Sequence, residues 1–351
     1  MSKDILSRLF VTTFFVCIFG FSLIFIKTEH TVKQPIKKTE TPSNQTLSPL
    51  EIQYMRKQTY PGSEMVIEKK LEDGSNYSQY IASYKSYGLK IYGLLTVPQS
   101  EKPSGGFPAI IFNHGYIPPE EYRTTERYVA YVAGFARSGF VVFKPDYRGN
   151  GSSEGNPEGA YFSPAYTIDV LNALSSVKKL SYVNPEKIGM WGHSLGGNVT
   201  QRALVVDPQD IKAAVIWGGV VGSYKNLFDE WWSKRDRFTT FQPSQREAQT
   251  SRPSRQKFVE MYGNPTEESE FWNSISPTTY VKDITSPIQL HAGLSDETVP
   301  YALSQKFYDL LIENKKNAEI YLYEGADHNL SQVFDAAEQR SVDFFDKYLK
   351  E

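Results

Sequence analysis

Residues 187–197 read KIGMWGHSLGG. Ile188, Met190 and Trp191 form a short apolar run suited to a buried parallel strand. Gly192-His193-Ser194-Leu195-Gly196 then gives a G-x-S-x-G pentapeptide, with Gly197 directly behind it and a helical pattern over 198–206. Strand, tight turn and helix are the context in which this pentapeptide becomes a nucleophile elbow. Ser194 must sit on a sharp turn to project its hydroxyl above the sheet edge. Gly192 and Gly196 are required where a Cβ would clash. The helix that starts here turns its N-terminal N–H groups toward a developing negative charge. A chance glycine-rich turn would share the pentapeptide but not the order of elements around it.

The chain has 351 residues, enough for one large domain with a substantial core. A net charge of −2, with 22% charged residues, argues against a nucleic-acid binder working through a basic face. The aromatic content of 14% fits a packed domain with an apolar pocket. Cys17 is the single cysteine, which excludes an intrachain disulfide, thiolate chemistry and cysteine-rich metal sites.

Residues 9–26, LFVTTFFVCIFGFSLIFI, carry no formal charge. As a helix they would span about 27 Å, near the thickness of a bilayer core. A cleaved signal would need a shorter apolar region and a small-x-small site, which the following KTEHTVKQ lacks. Val16 before Cys17 is not the small residue of a lipoprotein signal. Residues 1–27 are therefore expected to be an uncleaved membrane anchor, with the catalytic domain outside the cytoplasm. Residues 28–50, polar and carrying Pro35, Pro42 and Pro49, are expected to be a flexible stalk.

Residues 51–351 alternate strand and helix signals. Two apolar or alternating runs, 78–84 and 89–97, flank Tyr87-Gly88 and read as an antiparallel pair. Residues 108–112 read as a buried strand ending in Asn113-His114-Gly115-Tyr116. A helix over 128–138 is closed by Gly139, a strand follows over 140–143, and a helix over 166–180 returns to the elbow strand. The intervening Asp146-Tyr147-Arg148-Gly149-Asn150-Gly151 loop is expected to hold an Asp146–Arg148 pair or a hydrogen-bonded turn. The alternation implies a mostly parallel sheet with right-handed crossovers.

With IIFNHGY, DYRGNGSSEG, GHSLGG, SPTTYVKDITSPIQLHAGLSDETVP and GADHNL in this order, residues 80–349 resemble the α/β-hydrolases. More narrowly they resemble the catalytic domain of the prolyl oligopeptidase family and its esterase relatives. The resemblance implies an α/β fold with a mostly parallel central sheet flanked by helices. It also implies a serine hydrolase that cleaves ester or peptide bonds with no cofactor and no metal. The family's large peptidases carry an N-terminal propeller that has no counterpart before residue 51 here, so propeller-based peptide selection is not carried over. The resemblance further implies an oxyanion hole from the N–H groups of Leu195 and of Tyr116, the latter on the loop after the third strand.

Residues 213–217 read as a strand, and 223–280 break the rhythm with charge and large aromatics. An insertion at this point would overhang Ser194, and it is expected to be a helical lid. His114, Trp231 and Trp232 are candidates to face substrate. A strand over 288–291, a helix over 301–313, a strand over 319–323 and a closing helix over 333–349 complete the chain. The order Ser, acid, His selects the base. Of the five histidines only His291 and His328 follow Ser194, and His328 lies in the loop after the last strand. Asp296 holds the matching family position for the acid, with Glu297 the alternative. A non-catalytic binding protein on this fold would show a broken triad, whereas Ser194, Asp296 and His328 are all present. The expected substrate is a small ester or peptide.

Overall fold

The computed structural model describes residues 48–233 and 252–351. Nine described strands form one sheet. They are β1 (Val66–Lys70), β2 (Tyr77–Ser86), β3 (Leu89–Pro98), β4 (Phe107–Asn113), β5 (Val141–Pro145), β6 (Val183–His193), β7 (Ala213–Trp217), β8 (Ile288–Gly293) and β9 (Ala318–Tyr323). Their spatial order is β1-β2-β3-β5-β4-β6-β7-β8-β9. β1, β2 and β3 pair antiparallel, as does β3 with β5, and every pairing from β5 through β9 is parallel. The β2–β3 hairpin turns on Tyr87 and Gly88 with φ of 47° and 86°, the positive pair that a two-residue hairpin turn requires.

Parallel strands need crossovers, and the helices supply them: α2 (Val129–Arg137), α3 (Ala165–Val177) and α4 (Leu195–Val206). A short α1 (Ile52–Arg56) precedes the sheet. Side chains alternate across the sheet. Ile111, Met190, Ala214 and Leu290 enter the core shared with α3 and α4. Ile110, Phe112, Trp191 and Val215 enter the core shared with α2 and the C-terminal helix. Both faces are therefore dry, and each fully buried aliphatic or phenyl side chain contributes about 1.5–3 kcal/mol. This is the α/β-hydrolase architecture.

Between β7 and β8 lie α5 (Tyr224–Asn226), a π-helical turn (Leu227–Trp232), α6 (Arg252–Tyr262), α7 (Glu270–Ile275) and a 3-10 segment (Pro277–Asp283). α8 (Tyr301–Glu313) separates β8 from β9, and α9 (Phe334–Phe345) closes the fold.

Three expectations are corrected or bounded here. Among the described residues no helix is long and apolar enough to cross a membrane. The longest α-helices described run 13 residues, about 20 Å against the roughly 30 Å of a bilayer core. The expected membrane-anchored location, and membrane contact through an N-terminal helix, are corrected accordingly; residues 9–26 lie outside the described residues. Leu50, expected to end the stalk, is instead buried in the core, and its carbonyl accepts an N–H of Arg202. Of the two alternatives for the 146–151 loop the hydrogen-bonded turn forms, with the Asn150 N–H donating to the Tyr147 carbonyl at 3.3 Å, while Arg148 pairs with Asp169 of α3 at 2.8 Å rather than with Asp146. Tyr147, at φ 60°, turns the chain between the two residues, and the Asp146 carboxylate takes the hydroxyls of Tyr122 and Thr124 instead.

Candidate active site

Ser194 joins β6 to α4 with φ 56° and ψ −119°. A non-glycine residue held in such a region costs roughly 1–3 kcal/mol. The flanking backbone pins it. Its N–H donates to the Trp217 carbonyl at 3.1 Å, and its own carbonyl accepts the N–H groups of Gly197 and Val220 at 3.0 Å each. The glycines around it make room. A Cβ on Gly196 would run into the Asn113 carbonyl, and one on Gly192 would strike Thr200 and the Gly196 backbone.

His328 lies in the loop after β9. Its Nε2 stands 2.9 Å from Ser194 Oγ and its Nδ1 stands 2.7 Å from Asp296 Oδ2. The Asp296 side chain is almost wholly buried, and its other oxygen, Oδ1, accepts the N–H groups of Thr298 and Val299 at 2.7 and 2.8 Å. The carboxylate is thus held from behind while its free face meets the imidazole. Three residues from three separate loops form one line, and the Glu297 side chain next door is exposed.

Leu195 is the first residue of α4, so its N–H has no acceptor within the helix and lies at the positive end of the helix dipole. Tyr116 follows Gly115, whose Cα packs beside the elbow. A Cβ there would come within 3.2 Å of the Ser194 Cβ. The loop carrying Tyr116 therefore backs directly onto the serine.

The three candidates for substrate contact are placed elsewhere. His114 is buried, stacked between the rings of Tyr122 and Tyr147 at 4.7 and 4.3 Å. Its Nδ1 lies 2.7 Å from the Gly115 carbonyl, and burial pushes its pKa down to about 3. It braces the Gly115 turn from behind as a neutral ring. Trp231 and Trp232 are 2% and 1% exposed. They pack against Tyr161, and Trp231 Nε1 donates to the Thr298 carbonyl at 2.8 Å. Through that bond Trp231 ties the segment between β7 and β8 to the loop that carries Asp296.

Two residues at the site escaped the sequence reading. The ring of His193 lies 4.6 Å from that of His328, centroid to centroid, and Tyr128 Oη lies 2.8 Å from His193 Nδ1. His193 had a signal, its place beside the nucleophile. Tyr128, 65 residues away in sequence, had none.

The sequence model of the X-Pro dipeptidyl-peptidase (S15) family matches residues 88–326. The uncharacterised peptidase YtmA of Bacillus subtilis (strain 168) is 26% identical over 269 residues, 75% of this chain and 92% of that protein. Among solved structures, the Pyrococcus horikoshii acylaminoacyl peptidase superposes with a TM-score of 0.61 at 22% identity. That match covers 79% of this chain but only 42% of the peptidase. The acetyl xylan esterase from Paenibacillus sp. R4 superposes with a TM-score of 0.59 at 17% identity, over 83% of this chain and 91% of the esterase. At these identities the two structures show a shared fold.

Proposed function

The chain belongs to the X-Pro dipeptidyl-peptidase (S15) family, and from that premise we propose that it cleaves peptide bonds through an acyl-enzyme on Ser194, with His328 as base and Asp296 as acid. It is a serine hydrolase of the α/β-hydrolase superfamily, acting on peptide or ester bonds. The observation that carries the residue roles is the unbroken line from Ser194 Oγ through both ring nitrogens of His328 to the Asp296 carboxylate.

Ser194 attacks the acyl carbonyl while His328 Nε2 takes its proton. Asp296 holds the Nδ1–H tautomer and stabilises the imidazolium. The N–H groups of Leu195 and Tyr116 stabilise the oxyanion. His328 then protonates the leaving amine or alcohol, and water repeats the cycle on the acyl-enzyme. The segment between β7 and β8 is proposed as a cap that limits substrate size. Its support is the Trp231–Thr298 bond, which ties the segment to the acid loop.

A second reading, carboxylesterase, is favoured by the match over 91% of an acetyl xylan esterase. Assay of the purified chain on X-Pro dipeptide and aminoacyl p-nitroanilides against p-nitrophenyl esters separates the two. Turnover of an anilide that Ser194→Ala loses supports the peptidase, and ester turnover alone supports the esterase. Unchanged turnover in Ser194→Ala overturns both.

A further inference from the structure

We propose that Tyr128 and His193 are positioning residues that hold the oxyanion loop and the catalytic base in register through one continuous line of hydrogen bonds. The proposal rests on the triad reading above. The Gly115 N–H donates to Tyr128 Oη at 2.9 Å, Tyr128 Oη lies 2.8 Å from His193 Nδ1, and His193 Nε2 lies 3.0 Å from the His328 carbonyl.

The chemistry of the ends sets the direction of every proton. A carbonyl only accepts, so His193 carries its proton on Nε2 and donates it to His328. Burial, and then the neighbouring His328, keep His193 neutral, so its Nδ1 is bare and accepts a hydrogen bond from the Tyr128 hydroxyl. The hydroxyl oxygen is then the acceptor for Gly115. All the donors point from Gly115 toward His328.

The two ends of this line flank the reacting atoms. Gly115 packs against Ser194 and precedes Tyr116, and the receiving carbonyl belongs to the residue whose ring meets Ser194 Oγ. The loops after β4 and after β9 are far apart in sequence, and this line connects them directly. A neutral His193 also leaves room for charge on His328, because a second cation with its ring centroid 4.6 Å away would oppose the imidazolium. Tyr128 reaches its place from a left-handed backbone, φ 62°, immediately before α2. A bulky side chain seldom adopts that conformation.

The test uses three substitutions. His193→Gln keeps one acceptor and one donor, His193→Leu keeps neither, and Tyr128→Phe deletes the middle of the line. Rates are counted per site titrated by a fluorophosphonate, so a misfolded fraction does not enter. Loss of one or two such bonds in the transition state should lower kcat by about 10- to 100-fold in His193→Leu and Tyr128→Phe. KM should stay within about twofold, because the lost bonds do not touch substrate. His193→Gln should recover kcat to within about fivefold of the parent. If His193→Leu does not fold, Tyr128→Phe against the parent decides. Unchanged kcat, a change confined to KM, or equal losses in the Gln and Leu variants would overturn the proposal. Failure of the triad reading would show separately, as turnover in Ser194→Ala.

Discussion

Oδ2 of Asp296 lies 2.7 Å from Nδ1 of His328, while Oδ1 of the same carboxylate accepts the backbone N–H groups of Thr298 and Val299. The two backbone donors dictate what an amide would do at this position. In Asp296→Asn the amide oxygen must stay with Thr298 and Val299, so the NH2 group faces His328. That forces the imidazole proton onto Nε2, pointing at Ser194, where a base is needed. Turnover should fall by about 10⁴ with little change in thermal stability. Glu297→Gln, on an exposed side chain, should change turnover by less than about tenfold. Steady-state kinetics on the two variants check this. A larger loss in Glu297→Gln would remove Asp296 from its assigned role.

The Asp169 carboxylate is fully buried and receives the Arg148 guanidinium, the Arg148 N–H and the Ser86 hydroxyl. Removing the guanidinium in Arg148→Ala leaves a buried charge without its counter-ion, which should cost about 3–5 kcal/mol in urea unfolding. The double change Arg148→Met with Asp169→Leu should recover part of that loss, since the stranded charge is gone. No recovery would mean that the guanidinium stabilises by packing rather than by pairing.

The turn at Ser194 and the residues that line up with it, His328 and Asp296, were legible because the proposed chemistry demands particular residue types: glycine where backbones touch, and the order serine, acid, histidine. The central strands were legible because burial on both faces makes them continuously apolar. β1 was not: VIEKK exposes all five residues, so no alternation marks it as an edge strand. α1 is only five residues long, so its two buried residues, Ile52 and Met55, stand at a helical spacing of three but give too short a pattern to read as a period. The turn in the 146–151 loop was legible from its glycines, but the partner of Arg148 was not, because the turn at Tyr147 hands Arg148 to Asp169 on α3, a residue distant in sequence. The Tyr128–His193 contact depends on how two loops meet in space, and neither residue carries a local mark of it.

Trp231 and Trp232 were candidates to face substrate, and their burial changes what their loss should do. Trp232→Ala should destabilise the protein by about 3–5 kcal/mol. Denaturant titration reads the loss, and substrate preference per titrated site should hardly move. A shift in acyl preference without loss of stability would restore the original reading.

His114, His193 and His291 are buried, and burial pushes each down to a pKa of about 3. Between that value and the unfolded histidine range near 6.5, the unfolded chain binds protons that the folded chain refuses. Stability is therefore full above about pH 6.5 and falls as the pH drops, by up to about 1.4 kcal/mol per pH unit for each histidine. Asp146, Asp207 and Glu338, raised chiefly by burial, oppose this, because each takes up its proton earlier on acidification in the folded chain than in the unfolded one. Urea midpoints should fall between pH 7 and pH 5, with proton uptake on unfolding. A flat or rising midpoint would contradict the neutral burial of these rings.

The central claim is that Ser194 is the nucleophile that carries the acyl group. The direct measurement is intact mass and peptide mapping of the folded chain after reaction with a fluorophosphonate. The expected result is a single adduct on the peptide containing residues 192–197, assigned to Ser194 and absent in Ser194→Ala. Turnover should be lost in proportion to labelling. An adduct on another residue, or full turnover in the labelled protein, would contradict it.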